Sequence, residues 1–159
     1  MINEAAVIGA GLMGSGIARH MANHGIQVTL VDNNEEQLAR AEQVHKNSGL
    51  QYTSDMTAIN AVDYVIEAVF EDPGIKRGVL SQISSTVSPD CLIASNTSSL
   101  LIGDLEEAVT RPNRFIGVHY NNPADMNPVV EVIPGDHTDT RYTDTILKWM
   151  GSAGKVAVK

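Results

Sequence analysis

The chain has 159 residues, with 19 Asp and Glu against 11 Lys and Arg and a formal net charge of −8. That length buries one core of ordinary size, and the acidic balance cannot neutralise a phosphate polymer or an anionic bilayer, which excludes nucleic acid and membrane surfaces as expected partners. Charged residues at 19% without long runs mark a globular protein, and no apolar run approaches the roughly 20 residues of a membrane span. Met1-Ile2-Asn3-Glu4 leads into the first apolar run without a basic leader. The one cysteine, Cys91, sits in the apolar run Cys91-Leu92-Ile93-Ala94 and reads as a small core residue, so a reducing, cytoplasmic setting is expected.

Residues 5–9 read as a short apolar strand, and 12–23 place Met13, Ile17 and Met21 at helical spacing before Gly25. Residues 27–31 form a second β-rich run ending at Asp32, and 35–46 is a polar helix. A small unit follows at 50–60, then a β-branched run at 62–69 that fits a strand buried on both faces. Pro73 opens a helix to about 87, 91–95 is a strand, 104–109 a short helix and 114–118 a strand. After His119 the pattern changes to a loop with Asn121, Asn122, Pro123 and Pro128, a strand at 129–133, a helix at 140–150 and a last strand at 155–158. Strands alternating with helices predict an α/β domain over 1–159, a doubly wound, mostly parallel sheet of the Rossmann type.

Gly9-Ala10-Gly11-Leu12-Met13-Gly14 fits GxGxxG, following a strand and opening a helix. The first glycine makes the tight turn, the second lets the backbone approach a pyrophosphate, and the third allows close helix packing; the helix N-terminus then presents free N–H groups to the phosphates. Asp32 ends the second strand 18 residues after Gly14, where a carboxylate can accept the adenosine ribose hydroxyls. Asn33, Asn34, Glu35 and Glu36 offer no cation for a 2′-phosphate, so NAD is expected over NADP. The structural alternative for Asp32 is a solvated helix cap.

Four segments carry a family resemblance. They are 7–18, Val65-Ile66-Glu67-Ala68-Val69-Phe70-Glu71, Ser95-Asn96-Thr97-Ser98-Ser99-Leu100, and His119-Tyr120-Asn121-Asn122-Pro123 followed by Val130-Glu131-Val132-Ile133. On these the chain resembles the NAD-binding domain of the 3-hydroxyacyl-CoA dehydrogenases. The resemblance implies oxidation of a hydroxyl with hydride passing to nicotinamide, which needs a base near neutral pKa. His119 at a strand end is the candidate base, and Glu131 the carboxylate that would orient it. By resemblance Ser98 bonds the reacting substrate oxygen and lies near the nicotinamide, and Glu71, Lys76 and Asn122 contact the cofactor. Structural alternatives stay open: His119 as a polar strand end, Glu131 as an outward residue, Ser98 and Thr97 as turn caps, Lys76 as a solvated helix residue. The other histidines, His20, His24, His45 and His137, are taken as surface residues, and no metal site is expected.

Family members carry a further helical domain that supplies the dimer interface and part of the substrate cleft, so the resemblance implies a homodimeric whole protein whose second domain lies outside this chain. They also insert a helical hairpin after the second strand that helps hold coenzyme A. Between Asp32 and Asp63 there is room here for one helix and one short strand. The expected substrate is therefore a 3-hydroxyacyl compound on CoA or another carrier, with a smaller 3-hydroxy acid as alternative. Rival readings are a non-catalytic NAD-binding module, and a 6-phosphogluconate-like or imine-reducing enzyme, which the serine motif at 95–100 of this chain does not match.

Overall fold

The computed structural model describes residues 2–159. Its elements, in chain order, are β1 (Glu4–Ile8), α1 (Leu12–Asn23), β2 (Gln27–Val31), α2 (Glu35–Val44), β3 (Gln51–Thr53), β4 (Tyr64–Glu67), α3 (Pro73–Thr86), β5 (Leu92–Ser95), α4 (Ile102–Glu106), β6 (Phe115–Tyr120), β7 (Val129–Pro134), α5 (Thr140–Ser152) and β8 (Val156–Val158). Single 3₁₀ turns at Met56–Ile59 and Pro112–Arg114 precede β4 and β6. Every predicted element is present, with ends moved by a few residues. The unit at 50–60 resolves into β3 and a 3₁₀ turn.

Local chemistry explains the helix ends. Asn34 caps α2 by accepting the N–H groups of Glu36 and Gln37, with Glu35 and Glu36 in the positive first turn. Asp72 accepts the Ile75 N–H at 2.9 Å, and Pro73 opens α3, where its missing N–H costs nothing. Helix α1 stops at His24 and Gly25, the glycine at φ +85°. The N-cap of α1 is Gly11, which offers no side-chain oxygen, so its leading N–H groups stay available for a ligand.

The eight strands lie in the order β3-β2-β1-β4-β5-β6-β7-β8, parallel from β3 to β6, with β7 antiparallel to β6 and β8 parallel to β7. The chain winds outward from β1 in both directions, so the order reverses between β1 and β4, and a crevice opens there at the carboxyl ends of the strands. Apolar layers cover both faces. Ile17, Met21, Leu38, Ile146 and Met150 of α1, α2 and α5 pack on one, and Leu80, Ile83 and Leu105 of α3 and α4 on the other. Each such side chain contributes roughly 1.5–3 kcal/mol by leaving water, and all four residues of β4 are buried, as its β-branched run predicts.

Beyond α4 the second layer stops. On β7, Val130 and Val132 are buried while Val129, Glu131 and Ile133 face outward. The strand therefore alternates although its sequence is almost wholly apolar. No helix among the described residues is long and apolar enough to cross a membrane.

Candidate functional site

The β1–α1 turn is built around two close approaches. Gly9 has φ +107°, and a Cβ there would lie 2.8 Å from the Ala68 carbonyl oxygen; a Cβ on Gly14 would lie 1.8 Å from that of Gly9. The Gly9 N–H donates to the Val31 carbonyl at 2.7 Å, which joins the turn to the end of β2. Asp32 stands beside it: one carboxylate oxygen accepts the Ala10 N–H at 2.7 Å and the other the Asn34 N–H at 2.8 Å. Gly9, Gly11, Leu12, Met13, Asp32 and Gln37 share the wall of a cleft of about 650 Å³ running past Ala68, Val69 and Phe70. A turn whose glycines leave room for a diphosphate, an uncapped helix start and a strand-end carboxylate together fit a dinucleotide with an unphosphorylated ribose.

Past Met13 and Val69 lies a second cavity of about 320 Å³, walled by Glu71, Lys76, Asn96, Ser98, His119 and Asn122 among others. The β6–β7 ladder sets His119 directly opposite Glu131. Partners so placed share a face of the sheet with Cβ atoms about 5 Å apart, and the His119 Nδ1 lies 2.7 Å from the Glu131 Oε2. With Nδ1 facing the carboxylate, Nε2 is left to exchange a proton with a ligand. Asn96 fixes the next residue, its side-chain oxygen accepting the Tyr120 N–H at 2.8 Å. Asn122 precedes a cis proline and also lines a groove between α1 and α2.

The wall opposite His119 is a charged network. Glu67, fully buried at the end of β4, accepts from the Lys76 Nζ at 2.6 Å and the Ser95 hydroxyl at 2.7 Å. Glu71 takes the Thr97 hydroxyl, the Ser98 and Ser99 N–H groups at 3.1 and 3.2 Å, and the Ser99 hydroxyl at 3.1 Å. Burial pushes the Glu67 carboxyl above the usual range against the pull of Lys76. For Glu71 burial is outweighed by the Thr97 hydroxyl, the Lys76 ammonium and the Ser99 donors, which hold it below that range.

All the residues predicted for the site, Gly9, Ala10, Gly11, Leu12, Met13, Gly14, Asp32, Glu71, Lys76, Ser98, Asn122, His119 and Glu131, lie on or beside these two cavities. Lys76 is not a solvated helix residue, being 1% exposed and ion-paired. His20 also departs from its expected surface position: it is 2% exposed on α1, with Nε2 at 2.9 Å from the Ala153 carbonyl and Nδ1 at 3.3 Å from the Tyr120 hydroxyl. Glu67 and Asn96 were not singled out. For Glu67 a signal existed, since a carboxylate in a strand covered on both faces requires a buried cation.

Fold and site together define a dinucleotide-binding domain of the dehydrogenase type. The profile of the family described as 3-hydroxyacyl-CoA dehydrogenase, NAD binding domain, matches residues 4–51 and 41–159. The chain belongs to this family, whose cofactor is NAD. The two matches overlap at 41–51, where α2 gives way to β3. The fatty acid oxidation complex subunit alpha of Psychrobacter cryohalolentis is 37% identical over 177 residues, covering 99% of this chain and 25% of its own length. Among solved structures, the 3-hydroxyacyl-CoA dehydrogenase of Archaeoglobus fulgidus superposes with a TM-score of 0.92 at 33% identity, over 98% of this chain and 55% of its own. An NAD+-dependent 5-formyl-3-hydroxy-2-methylpyridine 4-carboxylic acid 5-dehydrogenase reaches 0.94 at 31% identity, over 99% and 57%. This chain thus spans about a quarter of the curated relative and just over half of these two solved chains.

Proposed function

We propose that the chain is the cofactor half of an enzyme that oxidises a 3-hydroxyacyl thioester, or a related 3-hydroxy acid, to the 3-oxo compound. The observation that carries this is the His119–Glu131 pair, 2.7 Å apart and facing a cavity that continues from the cleft beside Gly9 and Asp32. NAD, when bound, supplies the acceptor for the hydride leaving the carbinol carbon. His119 takes the hydroxyl proton on Nε2, Glu131 holds the ring and balances the imidazolium charge that results, and Ser98 donates to the reacting oxygen. Glu71, Lys76 and Asn122 wall the nicotinamide end, and Asp32 selects the ribose without a 2′-phosphate. A homodimeric whole protein with its second domain outside this chain belongs to the same proposal. So does a reducing, cytoplasmic setting, which the buried lone thiol of Cys91 supports.

A second substrate class has its own support. The broken family match across 41–51 and the short α2–β3 passage favour a compound smaller than acyl-CoA, as does the likeness to the pyridine-carboxylate dehydrogenase. Calorimetric titration with NADH and NADPH tests the cofactor part. Preference for NADH, lost in Asp32→Ala, is the expected result. Binding of neither nucleotide would remove the dehydrogenase reading for this chain.

A further inference from the structure

We infer that Glu67, Lys76 and Glu71 act as one relay that positions Ser98 at the nicotinamide end of the cavity, which makes Glu67 a positioning residue for the reaction proposed above. The inference rests on that reading. Glu67 has no exposed surface, and three donors converge on it: the Val69 N–H at 2.5 Å, the Lys76 Nζ at 2.6 Å and the Ser95 hydroxyl at 2.7 Å. An ammonium has three N–H donors. Those of Lys76 face the Glu67 Oε1, the Val69 carbonyl at 3.0 Å and the Glu71 Oε2 at 3.4 Å. Lys76 therefore reaches the cavity wall with its donors already engaged, and it serves as frame rather than as a hydrogen-bonding ligand.

Glu71 passes the constraint on. Its Oε1 gathers the loop after β5 through the N–H groups of Ser98 and Ser99 and the hydroxyls of Thr97 and Ser99. Ser95 closes the circuit, donating to Glu67 and accepting the Thr97 N–H at 3.2 Å. The end of β4, the first turns of α3 and the β5 loop are thereby locked together around one buried ion pair. In a low-dielectric setting such a network holds one geometry as long as every member is present.

NADH and ADP-ribose share the adenosine, pyrophosphate and ribose, and only NADH carries nicotinamide, so titrating the chain with both isolates the end that Ser98 faces. Glu67→Gln is expected to weaken NADH binding roughly five- to tenfold while ADP-ribose stays within about twofold. Ser98→Ala added to Glu67→Gln should cost little more than either alone, because one removes the hydroxyl that the other leaves misplaced. Ser95→Ala keeps the Glu67–Lys76 ion pair but removes the link to Thr97, and it should show the same selective loss if Glu67→Gln fails to fold. Equal loss for both ligands, or no loss for either, overturns the relay. An unsubstituted chain that binds neither ligand would instead sink the dehydrogenase reading, and the relay with it.

Discussion

Two glycines of one motif should fail in different ways when given a methyl group. In Gly14→Ala the new Cβ would sit 1.8 Å from the Gly9 carbonyl oxygen, where an ordinary contact needs more than 3 Å, so one side must retreat by over 1 Å. Gly9 cannot retreat freely. Its N–H is bonded to Val31, and its own α-carbon faces the Ala68 carbonyl at a spacing that leaves no room for a Cβ. Overpacking of this kind costs about 1–3 kcal/mol, or roughly 3–10 °C in Tm for a domain of this size. The displaced turn would also lose about two charge-assisted hydrogen bonds to a pyrophosphate, a loss of roughly a hundredfold or more in NADH affinity. Gly11→Ala differs, because its Cβ would meet nothing closer than the Gln37 side-chain oxygen at 4.0 Å. It should melt within a few degrees of the unsubstituted chain and lose NADH affinity all the same, since only the ligand occupies that space. Thermal unfolding and NADH titration of both variants decide the matter. Unchanged Tm in Gly14→Ala, or full NADH affinity in Gly11→Ala, would refute the reasoning.

His20 gives a pH prediction. Burial draws its imidazole from 6.5 down to about 4, with the Ala153 carbonyl opposing and Lys155 assisting. The unfolded chain therefore takes up a proton between pH 6.5 and 4 that the folded chain refuses, so stability present above pH 6.5 is lost as pH falls towards 4. The loss is about 2–3 kcal/mol, and urea melts of His20→Gln across that range should show a correspondingly flatter slope. Burial pushes the Cys91 thiol up to about 12, so a disulfide reagent should label it only at the rate of unfolding, and prompt labelling of native protein would contradict its buried position. Glu131 is half-exposed, with the His119 ring as its partner, so Glu131→Ala should change Tm by no more than a degree or two and leave NADH affinity within about twofold. A large fall in either would mean that Glu131 supports the fold rather than the base.

The β-α alternation was legible because β1, β2, β4, β5 and β6 are short, mostly apolar runs and α2 and α3 carry a cap or a proline at their starts. Asn34, Asp72 and Pro73 act locally, and local chemistry is what a sequence displays. The glycine turn and Asp32 were legible for the same reason, with the context of strand and helix on either side. Burial of His20 and Lys76 was not, since each depends on a partner in another element: Ala153 and Tyr120, far along the chain, for the histidine, and Glu67 of β4 for the lysine. A helix shows its own periodicity, not what the neighbouring strand will place beneath it. The outward turn of Glu131 was one of the readings the sequence left open, and its neighbours Val129 and Ile133 did not decide it. A run of apolar residues has no visible period, and only the end of the helical layer beyond α4 makes one side of β7 open.

The β6–β7 ladder also says where this protein cannot change in length. Position 119 faces 131 and position 120 faces 130 because the two strands are zipped together, not because of what joins them. Residues added to or removed from the 121–128 connection leave that pairing intact but displace Asn122 from the cavity wall and Ala124 from its packed place beside Gly16. A single residue inserted into β7 ahead of Glu131 would swing the carboxylate to the side where Val130 and Val132 are packed and present a valine to His119. Variants should accordingly keep an unbroken count within the two strands.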